Sequence, residues 1–211
     1  MIVSTGRKFI FVHIPKTGGT ALTLALEARA MADDIFIGDT PKAVKRRAKA
    51  KAWAGDRKLR KHSTLAELDG LVDATEMFVL TLVRNPWDRM VSYYHWLRDQ
   101  TFSHRVVELA KTHDFSGFLN HPETIAAQTA ETYGGYVAAQ GVTPHFARLE
   151  ALAEDLQTFD THLGFKLEIP HVNRSNRSAD WRGYYSDADA ALVDQMYAED
   201  IARFGYQFDP E

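Results

Sequence analysis

The 211-residue sequence predicts a three-layer α/β domain in which helices flank a central parallel sheet. Residues 9–14 (FIFVHI) and 77–83 (MFVLTLV) are short, nearly continuous apolar runs rich in β-branched and aromatic residues. Strands buried on both faces of a parallel sheet read this way. Each run is followed by a turn and then by a helical pattern, the opening of a βαβ unit. The length suits one domain over 1–211, and no repeat, low-complexity tract or composition boundary divides it.

The elements follow in order. The first run stops at Pro15, KTGGT at 16–20 forms a turn, and residues 21–31 are full of strong helix formers. Thr40 as N-cap, Pro41 at the first helical position and Gly55 just past the end bound a basic helix over 40–54. TLAE at 64–67 has capping-box spacing ahead of Leu68 and Leu71, so a short helix starts there. After the second apolar run, RNPW at 84–87 leads into a helix from Trp87 to about Arg98. Weaker helical patterns occupy 115–119 and 125–132, broken by Gly134, Gly135 and Gly141. Residues 145–149 read as a short strand, 152–163 as a helix closed by Gly164, and 169–185 as a long polar loop. The stretch from Ser186 to Asp189 caps a last helix that stops at Gly205.

Composition narrows the classes of function. At 45% hydrophobic and 25% charged residues, a disordered or fibrous chain is excluded. The absence of cysteine excludes a disulfide scaffold, thiolate zinc sites and a cysteine nucleophile. No His/carboxylate cluster has ligand spacing, so no metal is expected. No apolar run approaches the roughly 20 residues of a membrane span, and the start of the chain is wrongly flanked for a signal peptide. A soluble, cytoplasmic protein is the expectation. The net charge of −3 hides an asymmetry: residues 42–61 hold ten Lys/Arg and one acid, a local +9, whereas 62–211 carry −12. The basic block reads first as a solvated helix face and second as a surface that attracts an anionic acceptor. Nucleic acid is not expected, because aromatic residues are not interleaved with the basic ones.

Two segments carry chemistry. In PKTGGT at 15–20, backbone N–H groups of a glycine-containing turn at a helix start make an anion site, and the glycines permit close approach. Lys16 adds a full charge, and Thr17 and Thr20 add hydroxyl donors. A nucleotide-hydrolysing P-loop places its lysine after the second glycine of G-x-x-x-x-G-K-[ST], but here Lys16 precedes Gly18 and Gly19. Ordinary ATP chemistry is therefore the poorer fit. The second segment is RNPWDRMVS at 84–92, where Arg84 ends a buried strand, the usual ligand side of an open α/β sheet, and Ser92 lies two turns into the next helix.

Together these segments resemble the two donor-binding motifs of sulfotransferases that use 3′-phosphoadenosine 5′-phosphosulfate (PAPS). The closer similarity is to the carbohydrate-type branch, which includes heparan and chondroitin sulfotransferases and bacterial relatives. KHST at 61–64, RLEAL at 148–152, HVN at 171–173 and the tail 197–206 add supporting similarity. The resemblance implies a P-loop-like fold without a metal. It implies that Lys16, Thr17, Gly18, Gly19 and Thr20 hold the 5′-phosphosulfate, with Lys16 near the bridging oxygen of the leaving phosphate. Arg84 and Ser92 would hold the 3′-phosphate, and Asn173, Arg174 and Ser175 a loop over the nucleotide. The family position of the general base falls on His62; His13 competes for that role, although a strand histidine is more often a satisfied core residue. Glu67 is better explained as a capping-box partner.

The implied reaction is sulfuryl transfer to a hydroxyl, with an amine as the second acceptor class, on a small molecule or carbohydrate. Related Golgi enzymes carry an N-terminal membrane anchor for which the sequence shown has no counterpart, which favours a cytoplasmic setting. Two rivals stay open: a P-loop-type nucleotide kinase, and a non-catalytic protein that binds PAPS or its product 3′-phosphoadenosine 5′-phosphate (PAP).

Overall fold

A computed structural model describes residues 1–170, 172, 178 and 180–209. The chain forms two compact units, 1–83 with 133–173 and 84–132 with 174–211. It passes between them three times, so neither unit is a continuous stretch and no composition boundary marks them.

The first unit opens with β1 (Ile2–Ser4), β2 (Phe9–Val12), α1 (Gly19–Ala28), β3 (Ile35–Phe36), α2 (Pro41–Lys45), α3 (Arg47–Ala54) and β4 (Phe78–Val83). The second unit takes α4 (Pro86–Arg98), α5 (Arg105–Thr112), α6 (Phe115–Leu119) and α7 (Pro122–Gln128). The first resumes with α8 (Tyr133–Tyr136), β5 (His145–Arg148), α9 (Leu152–Asp155) and α10 (Gln157–Leu163), and the second ends with α11 (Asp187–Met196) and α12 (Ala198–Phe204).

In the first unit the strand order is β3-β1-β2-β4-β5. The expected parallel core is present: β2 pairs with β4 (Phe9 opposite Phe78) and β4 with β5 (Leu80 opposite His145). The two other pairings are antiparallel, β1 with β2 and β1 with β3, so the sheet is mixed. Alternation along β2 explains the three layers. Phe9 and Phe11 face a core built with Leu22, Leu26 and Phe159, while Ile10 and Val12 face another built with Leu65, Leu68 and Val137. Burying each such aromatic or aliphatic side chain contributes about 1.5–3 kcal/mol.

The expected helix over 40–54 is two helices. Thr40 caps α2 by accepting from the Ala43 N–H, and Gly55 ends α3, but the run breaks at Arg46. There the guanidinium lies 5.2 Å from the Phe36 ring and donates to the Met31 carbonyl at 2.7 Å. The capping box of Thr64 and Glu67 is present and opens a single 3-10 turn, Leu65–Leu68.

In the second unit, α4 begins as its sequence requires. Asn85 Oδ1 accepts from the Trp87 N–H at 3.1 Å, Pro86 occupies the first turn, and Arg98 lies in the last. Its apolar face packs Trp87, Met90, Val91 and Tyr94 against α5, α6 and α11.

Candidate active site

The turn after β2 is shaped by its backbone. Lys16 has φ 67° and Gly18 φ 85°, both left-handed. Glycine adopts that conformation freely, whereas for lysine it costs about 1–2 kcal/mol, a strain that surroundings must hold in place. Thr17, fully buried, donates its hydroxyl to the Ile14 carbonyl at 3.0 Å and closes the turn. Gly18 is the N-cap of α1 and no side chain caps that helix, so the start of α1 is open to an anionic acceptor.

Neighbouring side chains also crowd both glycines. A Cβ on Gly18 would lie 2.6 Å from Leu149 Cδ1, and one on Gly19 would lie 2.3 Å from His13 Cδ2. Leu149 follows β5 and His13 follows β2, so the residues just beyond two parallel strands close on the turn.

His13 is 3% exposed, and its Nδ1 has no hydrogen-bond partner among the described residues. Its ring stands edge-on to His62, with centroids 4.8 Å apart. His62 Nδ1 lies 2.7 Å from the His13 carbonyl oxygen. A carbonyl only accepts, so Nδ1 carries the proton and Nε2 of the neutral ring keeps its lone pair.

Burial against this wall lowers the His62 pKa to about 4. The bond to the His13 carbonyl opposes that shift, Lys61 and the Met1 amino group reinforce it, and Asp39 opposes it. The residue nonetheless keeps an exposed face towards solvent. Burial also holds His13 well below its usual value, with the Met1 amino group, His62 and Lys61 adding repulsion. Both imidazoles are therefore neutral at pH 7.

The segment bearing His62 is pinned on both sides. Lys61 pairs with Asp39 at 2.9 Å. Ser63 Oγ accepts from the Arg60 N–H and donates to Glu67 Oε1 at 2.9 Å, while Glu67 Oε2 accepts from the Thr64 N–H at 2.7 Å.

The second unit carries Arg84 and Ser92. The Arg84 Nε and one terminal nitrogen both donate to Asp88 Oδ2, at 2.9 and 2.6 Å. Asp88 and Ser92 are one helical turn apart on the same face of α4. Ser92 is buried.

Thus Lys16 to Thr20 and His62 lie in the first unit, where His13 touches both the turn and His62. Arg84 and Ser92 both belong to the second. The two threonines differ: Thr17 spends its proton inside the turn, whereas Thr20 Oγ1 has no partner among the described residues. Asn173, Arg174 and Ser175 lie outside the described residues. The basic block divides, because Lys42, Arg46 and Lys49 donate to carbonyls at and beyond the end of α1 (Glu27, Met31, Ala32). Sequence reasoning missed Asp88 as the partner of Arg84; its i,i+4 spacing was the available signal. Among the described residues no group of three or more His, Asp or Glu could hold a metal, and no helix is long and apolar enough to cross a membrane.

A profile of the sulfotransferase family matches residues 1–207. No curated protein matches the sequence. Among solved structures, mouse sulfotransferase SULT7A1 complexed with PAP is similar, with a TM-score of 0.57 and 18% identity. The similarity covers 92% of this chain and 84% of that chain. At that identity the likeness is one of fold, a P-loop-like α/β arrangement.

Proposed function

The chain belongs to the sulfotransferase family, and on that premise we propose that it transfers a sulfuryl group from PAPS to a hydroxyl of a carbohydrate or small-molecule acceptor. Both units would serve as one sulfotransferase domain over 1–211. The observation that carries the reading is the turn. A strained Lys16, an uncapped helix start and two glycines closely crowded by Leu149 and His13 form a cradle suited to the phosphosulfate end of a nucleotide.

PAPS supplies the activated sulfuryl group. Lys16 and the backbone of Thr17, Gly18, Gly19 and Thr20 would hold its 5′ end, with Lys16 neutralising charge that develops on the leaving phosphate. Arg84 and Ser92 would hold the 3′-phosphate, because a guanidinium presents paired donors to a dianion. His62 would take the acceptor proton on Nε2, its tautomer set by the His13 carbonyl. A depressed pKa keeps that nitrogen unprotonated at pH 7. Sulfuryl transfer resembles phosphoryl transfer in needing mostly positioning and charge stabilisation, so no metal is called for.

Calorimetry with PAP and ATP, paired with labelled-sulfate transfer to glycans and simple alcohols, tests the reading. PAP is expected to bind and ATP to bind far more weakly. Equal binding of ATP, with Arg84→Ala leaving PAP unaffected, would favour a nucleotide kinase. PAP binding without transfer to any acceptor would indicate a binding protein.

A further inference from the structure

His13 is a polar side chain that a base at His62 leaves without an assigned role. It follows the last residue of β2, shares a face with Phe11 (ring centroids 5.7 Å apart) and is almost wholly enclosed. The position calls for an apolar ring, and Phe would satisfy it. An imidazole there encloses polar atoms that are costly to leave unbonded.

The two nitrogens differ. Nδ1 is sealed in the core with no partner among the described residues. The Cδ2–Nε2 edge is turned to the start of α1, where a Cβ on Gly19 would stand 2.5 Å from Nε2. The neutral ring carries one proton. Orphaned buried N–H groups are rarer than orphaned acceptors, which favours the proton on Nε2, at the turn.

We propose that His13 is a donor-binding residue whose Nε2–H completes the anion cradle of the 15–20 turn and hydrogen-bonds an oxygen at the 5′ end of the nucleotide. This rests on the reading of the turn as the phosphosulfate site. The residue thereby does two things with different atoms: its side chain binds the nucleotide, and its main-chain carbonyl orients His62. It also gives a reason for glycine at 19 beyond helix geometry, since any side chain there would displace the imidazole. Being neutral, the imidazole adds a directed donor without adding a charge beside Lys16.

The side-chain and main-chain roles separate by substitution. His13→Phe keeps the ring's packing and the carbonyl but removes the Nε2–H. By calorimetry its PAP affinity is expected to fall about tenfold, the scale of one hydrogen bond to a charged acceptor. The acid limb of kcat/KM, which reports His62, stays in place. His13→Gln, which restores an N–H, is expected to recover part of the loss. In the wild-type chain, nitrogen-15 NMR of backbone-assigned histidines is expected to show the His13 Nε2–H signal move when PAP is added. A folded His13→Phe that binds PAP like wild type overturns the proposal, and so does an unmoved His13 signal under saturating PAP, whatever the variants' folding. Failure of the wild type to bind PAP at all would instead remove the reading of the turn, and this proposal with it.

Discussion

In the turn at 15–20 the backbone does the shaping, whereas in the segment at 84–92 side chains do. The first is defined by two left-handed residues, an uncapped helix start and a threonine folded back on the Ile14 carbonyl. The second is an ordinary capped helix with one guanidinium, Arg84, held by Asp88. A backbone-built site is sensitive to added bulk and tolerant of lost side chains; a side-chain-built site behaves the opposite way. Lys16 is the exception within the turn, as its one full charge.

The largest effect should come from that exception. If Lys16 is the charge beside the leaving group, as proposed, Lys16→Ala is expected to lower labelled-sulfate transfer by roughly 10²–10³ in kcat, the scale of losing one transition-state donor. PAP affinity should fall much less. A comparable loss in both would make Lys16 a plain binding residue and erase the contrast between ground-state and transition-state roles.

Arg84 comes next. Arg84→Ala is expected to weaken PAP by about 10- to 100-fold in calorimetry, and Arg84→Lys to recover little, because an ammonium cannot reproduce the guanidinium fork. Full recovery with lysine would mean that charge alone matters in the second segment. On the backbone side, Gly19→Ala forces a Cβ into the His13 ring. The expected cost is about 1–3 kcal/mol of stability by denaturant unfolding, as for overpacking in a core. Unchanged stability would show that His13 yields easily and that the turn is less rigid than its geometry implies.

Much of this contrast was legible in the sequence, though unequally. The buried runs, the Thr40–Pro41–Gly55 punctuation and the Thr64–Glu67 box announce themselves, because each depends on residues close together in the chain. The antiparallel edge did not: β3 has two residues and β1 three, too short to show any period. Helix α5 was missed because its N-cap is His104, whose ring nitrogen accepts from the Val106 N–H in place of the usual Ser, Thr, Asp or Asn. In the candidate site, the 15–20 turn could be read from its own residues, whereas Arg84, Ser92 and His62 took their roles from the family resemblance. The left-handed Lys16 could be read from neither, nor could the bond between His62 and the His13 carbonyl across 49 residues, which only the folded sheet brings together.

The burial of His62 beside that contact gives a pH test. If His62 is the base, kcat/KM should fall on acidification through about pH 4, well below the 6.5 of a free imidazole. Stability should also decline as pH drops from 6.5 towards 4, because the unfolded imidazole takes up a proton that the folded one refuses. His62→Ala should lose most of the transfer and make that part of the stability profile shallower, with buried His13 supplying the slope that remains. An acid limb near 6.5 would mean that the ring is solvated enough to escape the burial that depresses it.

The smallest effect separates two residues of the same type within the turn. Thr17→Val deletes a buried hydroxyl and leaves the Ile14 carbonyl without its donor, so it should cost about 1–3 kcal/mol of stability. Its proton is already committed inside the turn, so PAP affinity in the folded fraction should hold. Thr20→Val removes a half-buried hydroxyl with no partner among the described residues, and stability should barely move. If that hydroxyl meets the nucleotide, PAP affinity should weaken about fivefold, the scale of one neutral hydrogen bond. Thermal melts and calorimetry on both variants give four numbers that must cross: stability lost only at 17, affinity lost only at 20. Affinity lost at 17 with stability intact would mean that Thr17 turns its hydroxyl outward when the nucleotide arrives, and the turn would then be a side-chain site like its counterpart.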